Sequence, residues 1–299
     1  MKFNKSPQVI HNNRGYKIPS FIDDNHQNID LKTVESFGQE WSKFANFSKI
    51  EIEDIGNDYF DIVPWQKLGD SPQALDVGCG TGRWASYVSG MVAKVEAIDP
   101  SEAVWSAVKL LKDKPNVRIS IADVDRIPFE KESFDFVYSL GVLHHIPDTE
   151  KAMKSCVKMV KKGGYFLVYL YYNLDNRGVL FRFIFQLSNV LRWTISKLPS
   201  GLKKLICDIL AIMVYCPLVG TSILLHSIGL KKLSNKTPLS YYKKTSFNVI
   251  RNDSLDRFGT PLEQRFSKEE IRTMMLKAGL DNIVFSEHQP YWHAIGQKK

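Results

Sequence analysis

Cysteine is scarce in this chain, and its few cysteines lie far apart. Four occur among 299 residues, at positions 79, 156, 207 and 216, with no CxxC pair and no ligand-like spacing to the seven histidines. This pattern argues against a structural zinc site and predicts reduced thiols without a bound metal. The polar N-terminal sequence also lacks an apolar stretch of signal-peptide length, so the predicted location is the cytoplasm.

Acidic residues are almost missing from one part of the chain. Between Arg177 and Arg251 there are twelve lysines and arginines and one acid, Asp208, which gives this segment a net charge of +11. The whole chain carries +8, so the remainder carries −3. A basic excess confined to one segment indicates a face that meets an anionic surface, such as the inner face of a membrane.

The same basic segment contains a long run without charge. Ile209 to Leu225 is seventeen residues long, but Pro217 and Gly220 interrupt it too strongly to predict a membrane-spanning helix. Three interpretations stay open. The run forms a helix lying at a membrane interface, an apolar lid over a long-chain ligand, or an ordinary helical cap that completes the core.

Strand-like and helical segments alternate strictly over the middle of the chain. Strands are predicted at 74–77, 95–98, 117–121, 134–140 and 164–172, with helices between them. The alternation stops at Asn173 and resumes at Phe266, after which a capping box at Ser267–Glu270 opens a helix and a hairpin follows. The predicted fold is α/β: a Rossmann-like, doubly wound, seven-stranded sheet with a C-terminal antiparallel hairpin and a helical insertion.

Four segments follow from this pattern. Residues 1–30 show no periodicity and are predicted to form an irregular arm, followed by helices over 31–47 and from about 58 to 69. The predicted segments are an N-terminal arm with cap helices (1–70), a ligand-binding core (71–172), the basic and apolar insertion (173–265) and a C-terminal helix with hairpin that completes the core (266–299).

A glycine-rich loop follows the first predicted core strand. It runs from Asp76 to Gly82, where glycines let the backbone approach a ligand closely. A dinucleotide-binding loop needs glycine or alanine at its sixth position, but counting from Gly78 that position is Arg83. No GxxxxGK[ST] sequence is present either, so nicotinamide dinucleotides and a triphosphate-binding P-loop are both disfavoured.

The loop resembles the first motif of class I S-adenosylmethionine-dependent methyltransferases, D-x-G-x-G-x-G, which this sequence fills completely. The resemblance implies that S-adenosylmethionine is the cofactor, that Asp99 accepts hydrogen bonds from its ribose, and that Asp123 receives its adenine amino group. An acid beside the loop suits the cationic part of that cofactor. The implied cofactor residues are Asp76, Gly78, Cys79, Gly80, Gly82, Asp99, Asp123, Val124 and Ser139.

The region after the fourth core strand is similar to small-molecule methyltransferases, including quinone-pathway members. His144 and His145 lie there, and each is a candidate general base, the alternative being that one packs and the other caps a helix. The metal-binding Glu-x-x-Glu-His of some quinone-pathway relatives is missing, so no metal is predicted. Two nucleic-acid chemistries are disfavoured, because neither an Asn/Asp-Pro-Pro-aromatic motif nor a cysteine nucleophile occurs in this region.

The acceptor is predicted to meet the first helix and the insertion. Trp41, Tyr241, Tyr242 and Arg251 are the candidate acceptor residues, since polar and aromatic groups cluster where the insertion ends. The favoured function is methylation of a small lipidic or lipid-linked acceptor, of glycan or quinone type, by an enzyme that touches a membrane surface through 177–251. A soluble sugar or metabolite is the main alternative acceptor, nucleic acid is a weaker one, and a non-catalytic scaffold is the fourth hypothesis.

Overall fold

The computed structural model describes residues 1–13, 15–23, 28–41, 48–173 and 178–299. The chain divides into two compact units. Residues 1–175 and 262–299 form one unit, called the α/β unit, and residues 176–261 form the other, called the helical unit.

One mixed sheet organises the α/β unit. Its strands are β1 (Val9–Asn13), β2 (Tyr16–Ser20), β3 (Gln73–Val77), β4 (Lys94–Asp99), β5 (Val117–Ile121), β6 (Phe134–Leu140), β7 (Val160–Tyr169), β8 (Leu280–Phe285) and β9 (His293–Lys298). Their order across the sheet is β1-β2-β5-β4-β3-β6-β7-β9-β8. From β5 to β7 the neighbours are parallel, whereas β9 runs antiparallel to β7 and β8. The predicted doubly wound sheet with its C-terminal hairpin is confirmed.

Helices flank the sheet and build the second unit. Those described are α1 (Leu31–Trp41), α2 (Lys49–Tyr59), α3 (Arg83–Val88), α4 (Val104–Leu110), α5 (Thr149–Met159), α6 (Val179–Ile195), α7 (Ser200–Leu210), α8 (Cys216–Ser227), α9 (Lys231–Lys236), α10 (Phe247–Gly259) and α11 (Lys268–Lys277). Short 3₁₀ turns occur at Trp65–Lys67, Leu143–His145 and Ser240–Lys244.

The central strands are buried on both faces, which is why they read as continuous apolar runs. Because side chains alternate along a strand, Leu75 and Val77 of β3 enter one hydrophobic core and Ala74 enters the other. The first core includes residues of α5 and α11, and the second includes Trp84 of α3. Asp76 therefore points into the same side of the sheet as Ala74, a side with aromatic packing.

Two elements near the N-terminus correct the sequence prediction. The arm predicted to be irregular contains an antiparallel hairpin, in which Val9 pairs with Ser20 and β2 extends the sheet beside β5. Its pattern is hard to read because β1 is an exposed edge strand with polar residues, so no alternation of apolar side chains marks it. The helix predicted from about 58 to 69 is also misplaced. A capping box, in which Ser48 and Glu51 exchange hydrogen bonds, begins α2 about ten residues earlier.

The helical unit has its own hydrophobic core. α7 continues into α8 through a π-helical turn at Ala211–Tyr215, so the backbone is helical from Ser200 to Ser227. The core is formed by residues of this long helix, of α6 and of α10: Ile195, Cys207, Ala211, Tyr215, Val219, Ile250 and Phe258. The unit therefore has the internal packing expected of an independent structural element.

Candidate active site

The loop between β3 and α3 is held against the neighbouring strand by its own backbone. The amides of Gly78 and Cys79 both donate to the carbonyl oxygen of Ile98, at 2.8 and 3.0 Å. Gly78, Gly80 and Gly82 have φ values of +81°, +52° and +81°, a region that side-chain-bearing residues rarely adopt. The spacing of the glycines in the sequence is thus required by the turn itself.

Space around the three glycines differs, and the difference identifies the open side of the loop. A Cβ at Gly78 would lie 2.5 Å from the side-chain methyl carbons of Val142, and one at Gly82 would lie 2.6 Å from Leu111. At Gly80, apart from the residue itself and its two chain neighbours, no atom of the described residues lies within 4 Å of that position. The first and third glycines are required for close packing, whereas the middle one faces open space that a ligand can fill.

Asp76 is the most unusual group at this edge of the sheet. Its side chain is 1% exposed, and among the residues that the structure describes neither carboxylate oxygen makes a hydrogen bond of ordinary length and angle. Burial raises the pKa of Asp76 to about 8 and nearby Asp99 acts in the same direction, whereas the hydroxyl of Tyr138 and the backbone of Ala85 oppose that effect. A buried carboxyl group whose oxygens make no well-formed hydrogen bond is costly, and a ligand that brings a cationic donor would relieve that cost.

Asp99 connects the loop to the end of β4. One carboxylate oxygen accepts the Gly80 amide at 2.8 Å, and the other accepts the amide and hydroxyl of Ser101 at 2.8 and 2.6 Å. Burial raises the pKa of Asp99 despite these hydrogen bonds. The sequence predicted a ligand-binding acid here, and the structure shows in addition that this acid fixes the loop glycine.

Asp123 lies two residues beyond β5, at the same edge. Its carboxylate accepts the amide of Asp125 at 3.0 Å, and burial raises its pKa although Arg126 opposes that effect. A cavity of about 120 Å³ lies beside it, lined by Asn28, Ile29, Asp123, Asp125 and Arg126. Because β3, β4 and β5 are parallel neighbours, Asp76, Asp99 and Asp123 all come to one edge of the sheet.

The remaining predicted cofactor residues are buried and already engaged with the protein. The hydroxyl of Ser139 donates to the carbonyl of Val77 at 2.8 Å and joins β6 to β3. Cys79 and Val124 are 3% and 6% exposed and belong to the two hydrophobic cores of the α/β unit. For these three residues a direct contact with a ligand stays a prediction.

The two predicted general bases lie in the turn after β6, and the structure distinguishes them. The ring Nδ1 of His145 is 2.7 Å from the carbonyl oxygen of Leu262, so Nδ1 carries the proton and Nε2 is left as the basic nitrogen. The edge of Phe37 packs on the same ring, with centroids 4.8 Å apart. These contacts hold the ring of His145 in one orientation, and its role as a general base stays a prediction.

His144 has a different environment. It is fully buried and stacked on Tyr171, with ring centroids 3.9 Å apart, and the His145 ring lies 4.0 Å away. Neither ring nitrogen has a hydrogen-bond partner among the residues that the structure describes. Burial holds the pKa of His144 well below its ordinary value, so the ring is neutral beside His145.

The segment that returns from the helical unit fastens this histidine turn, which sequence reasoning missed. The amide of Gln264 donates to the His144 carbonyl at 3.0 Å, and its side-chain nitrogen donates to the Ile146 carbonyl at 2.7 Å. Asn28 was missed as well, although it exchanges two hydrogen bonds with the backbone of Asp148 and lines the cavity beside Asp123. No local motif marks either residue, because their partners are more than one hundred positions away.

The four predicted acceptor residues are described only in part. The side chain of Trp41, the last residue of α1, lies outside the described part of the structure. In the helical unit the rings of Tyr241 and Tyr242 meet edge to face with centroids 5.5 Å apart, and Arg251 forms a bidentate pair with Asp208 at 2.6 and 2.9 Å. Burial raises the pKa of Tyr242 well above its ordinary value. Their role toward an acceptor stays a prediction.

No group of three or more histidine, cysteine, aspartate or glutamate side chains is placed to hold a metal within the described residues. The groups at the sheet edge suit another kind of ligand. A buried carboxyl without a well-formed hydrogen bond among the described residues, an open glycine and two further buried acids match a ligand that carries a cation and several hydrogen-bond donors. S-adenosylmethionine, with its ammonium, ribose hydroxyls and adenine amino group, fits this donor set.

Comparisons with known proteins agree with that chemistry. Residues 75–168 match the family model of a methyltransferase domain. The chain is 28% identical over 155 residues to a ubiquinone biosynthesis O-methyltransferase of Marinobacter nauticus, covering 48% of this chain and 63% of that protein. A protein of the same name from Rhizobium etli is 31% identical over 151 residues, covering 50% and 57%. A sterol 4-C-methyltransferase of Caenorhabditis elegans is 32% identical over 107 residues, covering 34% and 32%.

These alignments span less than two thirds of each relative's length. The matched methyltransferase domain, residues 75–168, contains the glycine loop and the three acids. The match identifies residues 75–168 as a methyltransferase domain.

Proposed function

We propose that this protein transfers the methyl group of S-adenosylmethionine to a small-molecule acceptor. The observation that carries the proposal is the buried carboxyl of Asp76, which makes no well-formed hydrogen bond among the described residues and lies at the edge where Asp99 and Asp123 also lie. The bound cofactor supplies an electrophilic methyl carbon on a sulfonium. Asp76 receives its ammonium, Asp99 its ribose hydroxyls and Asp123 its adenine amino group.

The chain's own residues then have two tasks. They align the acceptor atom with the methyl carbon, because in-line displacement depends on geometry, and they take up the proton that an acceptor hydroxyl loses. We assign the second task to His145, whose Nδ1 proton is committed to the Leu262 carbonyl and whose Nε2 is the basic nitrogen. His144, kept neutral by burial, packs the turn against Tyr171 and adds no charge that would weaken the base.

The acceptor we favour is lipidic or lipid-linked. Two observations support this choice: relatives named for ubiquinone and sterol methylation, and a helical unit with a large exposed apolar surface beside many cations. In this proposal Tyr241, Tyr242 and Arg251 contact the acceptor, and so does Trp41 of α1. The basic segment 177–251 meets a membrane surface. A soluble sugar or metabolite is the main rival acceptor.

A single labelling experiment tests the activity and ranks the acceptors. The purified protein is incubated with methyl-labelled S-adenosylmethionine and a cell extract separated into lipid, small-molecule, protein and nucleic-acid fractions. We expect label in the lipid fraction, and a variant with Asp76→Asn serves as the control for enzyme-dependent transfer. Label in the water-soluble small-molecule fraction would favour the rival acceptor, and label in nucleic acid alone would overturn the proposal.

A further inference from the structure

The described part of the helical unit contains a long apolar helix, and the described residues cover one side of it. The helix runs without interruption from Ser200 to Ser227, and its length and composition would allow it to cross a membrane. Of its most apolar stretch of 18 residues, only 22% is buried. An apolar helix that exposes most of its surface to water is unusual, so this exposed surface needs an explanation.

The covered side is a regular stripe. The buried residues recur every three or four positions, which places them on one face of the helix: Cys207, Ala211, Tyr215, Val219 and Ser222. The other side carries large apolar side chains that are 43–68% exposed and are called the exposed apolar face: Leu202, Leu205, Ile209, Ile212, Met213, Val214, Ile223 and Leu224.

The covered side is tied to a charged helix, and this argues against a membrane-spanning orientation. α10 packs along α7, where Arg251 pairs with Asp208 and the Ser254 hydroxyl donates to the Cys207 carbonyl at 2.7 Å. α10 carries further charged residues at 253, 256 and 257. If the long helix crossed a bilayer, it would draw these charges into hydrocarbon, which is strongly unfavourable.

Positive charge flanks the exposed apolar face at both ends. Lys197 precedes it, and Lys231, Lys232 and Lys236 follow it, all exposed. The Lys197 ammonium lies 3.2 Å from the ring centroid of Trp193, which is itself 61% exposed. Cations beside an exposed tryptophan and an uncharged apolar face are complementary to anionic lipid headgroups above hydrocarbon.

We infer that the helix Ser200–Ser227 lies in the plane of an anionic lipid bilayer, with its exposed apolar face in the interface and α10 on the side away from the lipid. This inference rests on the membrane contact in the proposed function and adds the orientation and the residues that make it. The bilayer surface is contacted along the helix, and no segment of the helical unit crosses it.

Co-sedimentation with vesicles tests the contact, using the full-length protein. We expect binding to vesicles of phosphatidylcholine with phosphatidylglycerol and weaker binding to phosphatidylcholine alone. Changing Ile209, Ile212 and Met213 together to Gln is expected to lower the partition coefficient by about a hundredfold or more. Changing Lys231 and Lys232 to Ala should lower it about fivefold for each lysine, on anionic vesicles only.

A matched control separates the exposed apolar face from general surface hydrophobicity. Ile50, Met91 and Val284 lie in the α/β unit and are 70%, 47% and 52% exposed, close to the 49%, 54% and 68% of the test residues. Their change to Gln should leave vesicle binding unchanged. If wild type does not bind anionic vesicles, or if both triple variants bind equally well, the inference is wrong. If the wild type does not bind vesicles but forms a dimer without lipid, and if changing Ile209, Ile212 and Met213 to Gln dissociates that dimer while the control variant does not, the face would be assigned to a second copy.

Depth measurements test the in-plane orientation. A Cys216→Ser background leaves three buried cysteines, and an environment-sensitive fluorophore is placed on a single new cysteine at Leu205, Ile212 or Leu224. These sites span about 28 Å along the helix. Quenching by lipids labelled at different depths should place all three at the same shallow level. A deep central site between shallow ends would show a spanning helix and overturn the inference, while leaving membrane contact itself intact.

The two proposals fail in different ways. S-adenosylhomocysteine binding and methyl transfer are measured on the same preparations, in detergent-free buffer and on vesicles. Shallow vesicle binding without any methyl transfer would refute the proposed function and leave the orientation standing. Methyl transfer to a lipid by a protein that does not bind vesicles would refute the orientation and leave the proposed function standing.

Discussion

At the scale of one residue, the buried carboxyl of Asp76 lowers the free energy of unfolding of the ligand-free protein. With its pKa raised to about 8, the ligand-free folded protein keeps this carboxyl protonated, whereas the unfolded chain releases the proton near pH 4. Between these values the unfolded state binds fewer protons, so the free energy of unfolding decreases as the pH rises from about 4 to about 8. Asp99 and Asp123, whose pKa values are also raised, contribute with the same sign.

Replacing Asp76 with Asn should therefore separate stability from ligand binding. The variant keeps the shape of the side chain but has no charge to desolvate, so in the ligand-free state it should be more stable than wild type at pH 8. Its affinity for S-adenosylmethionine should fall about tenfold to a hundredfold, because a charge-assisted hydrogen bond is lost. Urea denaturation at pH 5 and pH 8 and isothermal calorimetry measure the two effects.

The control for Asp76→Asn is a carboxyl on the protein surface. Asp70 is exposed and precedes β3, so Asp70→Asn should change neither the pH dependence nor the affinity. If Asp76→Asn lowered stability at pH 8, the carboxyl would have stabilising partners in solution, and its assignment to the ligand's cation would be contradicted.

The two neighbouring histidines should differ in their effect on the reaction. His145→Gln removes the proposed base and should lower kcat by about 10²–10⁴-fold while the affinity for S-adenosylhomocysteine stays unchanged. His144→Gln replaces a buried neutral ring that packs on Tyr171, so it should lower thermal stability more than kcat. Steady-state kinetics with saturating cofactor and a thermal unfolding scan distinguish the two. Equal losses of kcat would remove the distinction drawn between them.

At the scale of elements, the glycines of the strand-to-helix loop differ in what their substitution costs. Gly78 has a positive φ and also lies against Val142, whereas Gly80 has a positive φ and open space. The two positions therefore carry different costs for the same substitution. Backbone strain acts at both, and steric overlap acts at the first alone.

Alanine at each glycine tests this difference. Gly78→Ala should reduce the free energy of unfolding by about 2–4 kcal/mol, since strain and overlap add, whereas Gly80→Ala should reduce it by about 1–2 kcal/mol. Val142→Ala in the Gly78→Ala background should recover the steric part of the loss. Urea denaturation of the three variants gives these values. A double variant no more stable than Gly78→Ala would show that overlap with Val142 is not the cause.

At the scale of the whole molecule, the chain combines a cofactor-binding unit with a helical unit that has a separate core. The segment that follows the helical unit, beginning at Leu262, bonds to the histidine turn through His145 and Gln264. The chain therefore leaves the helical unit a few residues before the positions that bond to the histidine turn.

Excision of residues 176–261, with a short Gly-Ser linker in their place, tests this division. The α/β unit retains both of its hydrophobic cores and the bonds from Leu262 and Gln264, so affinity for S-adenosylhomocysteine should be unchanged. Acceptor methylation and vesicle binding should be lost. A shortened protein that still methylates the wild-type acceptor would contradict the role proposed for the helical unit, and calorimetry with S-adenosylhomocysteine confirms that the shortened protein is folded.

The sequence by itself determined the sheet and the cofactor class. The seven strands of the core are local apolar runs, and the loop from Asp76 to Gly82 is a local motif, so neither requires knowledge of distant contacts. The N-terminal hairpin escaped prediction because its stability comes from pairing beside β5 and its own residues are polar. A local sequence pattern therefore predicts those elements that local interactions stabilise.

Only the tertiary structure decided which groups lack partners and which are held. Nothing in the sequence shows that Asp76 is buried without a well-formed hydrogen bond among the described residues, that Asp99 fixes Gly80, or that Leu262 orients His145. Hydrogen bonding and burial depend on residues more than one hundred positions apart, and a pKa follows from them. The same holds for the helix Ser200–Ser227, whose composition is plain in the sequence but whose covered and exposed sides exist only once α10 has packed against it.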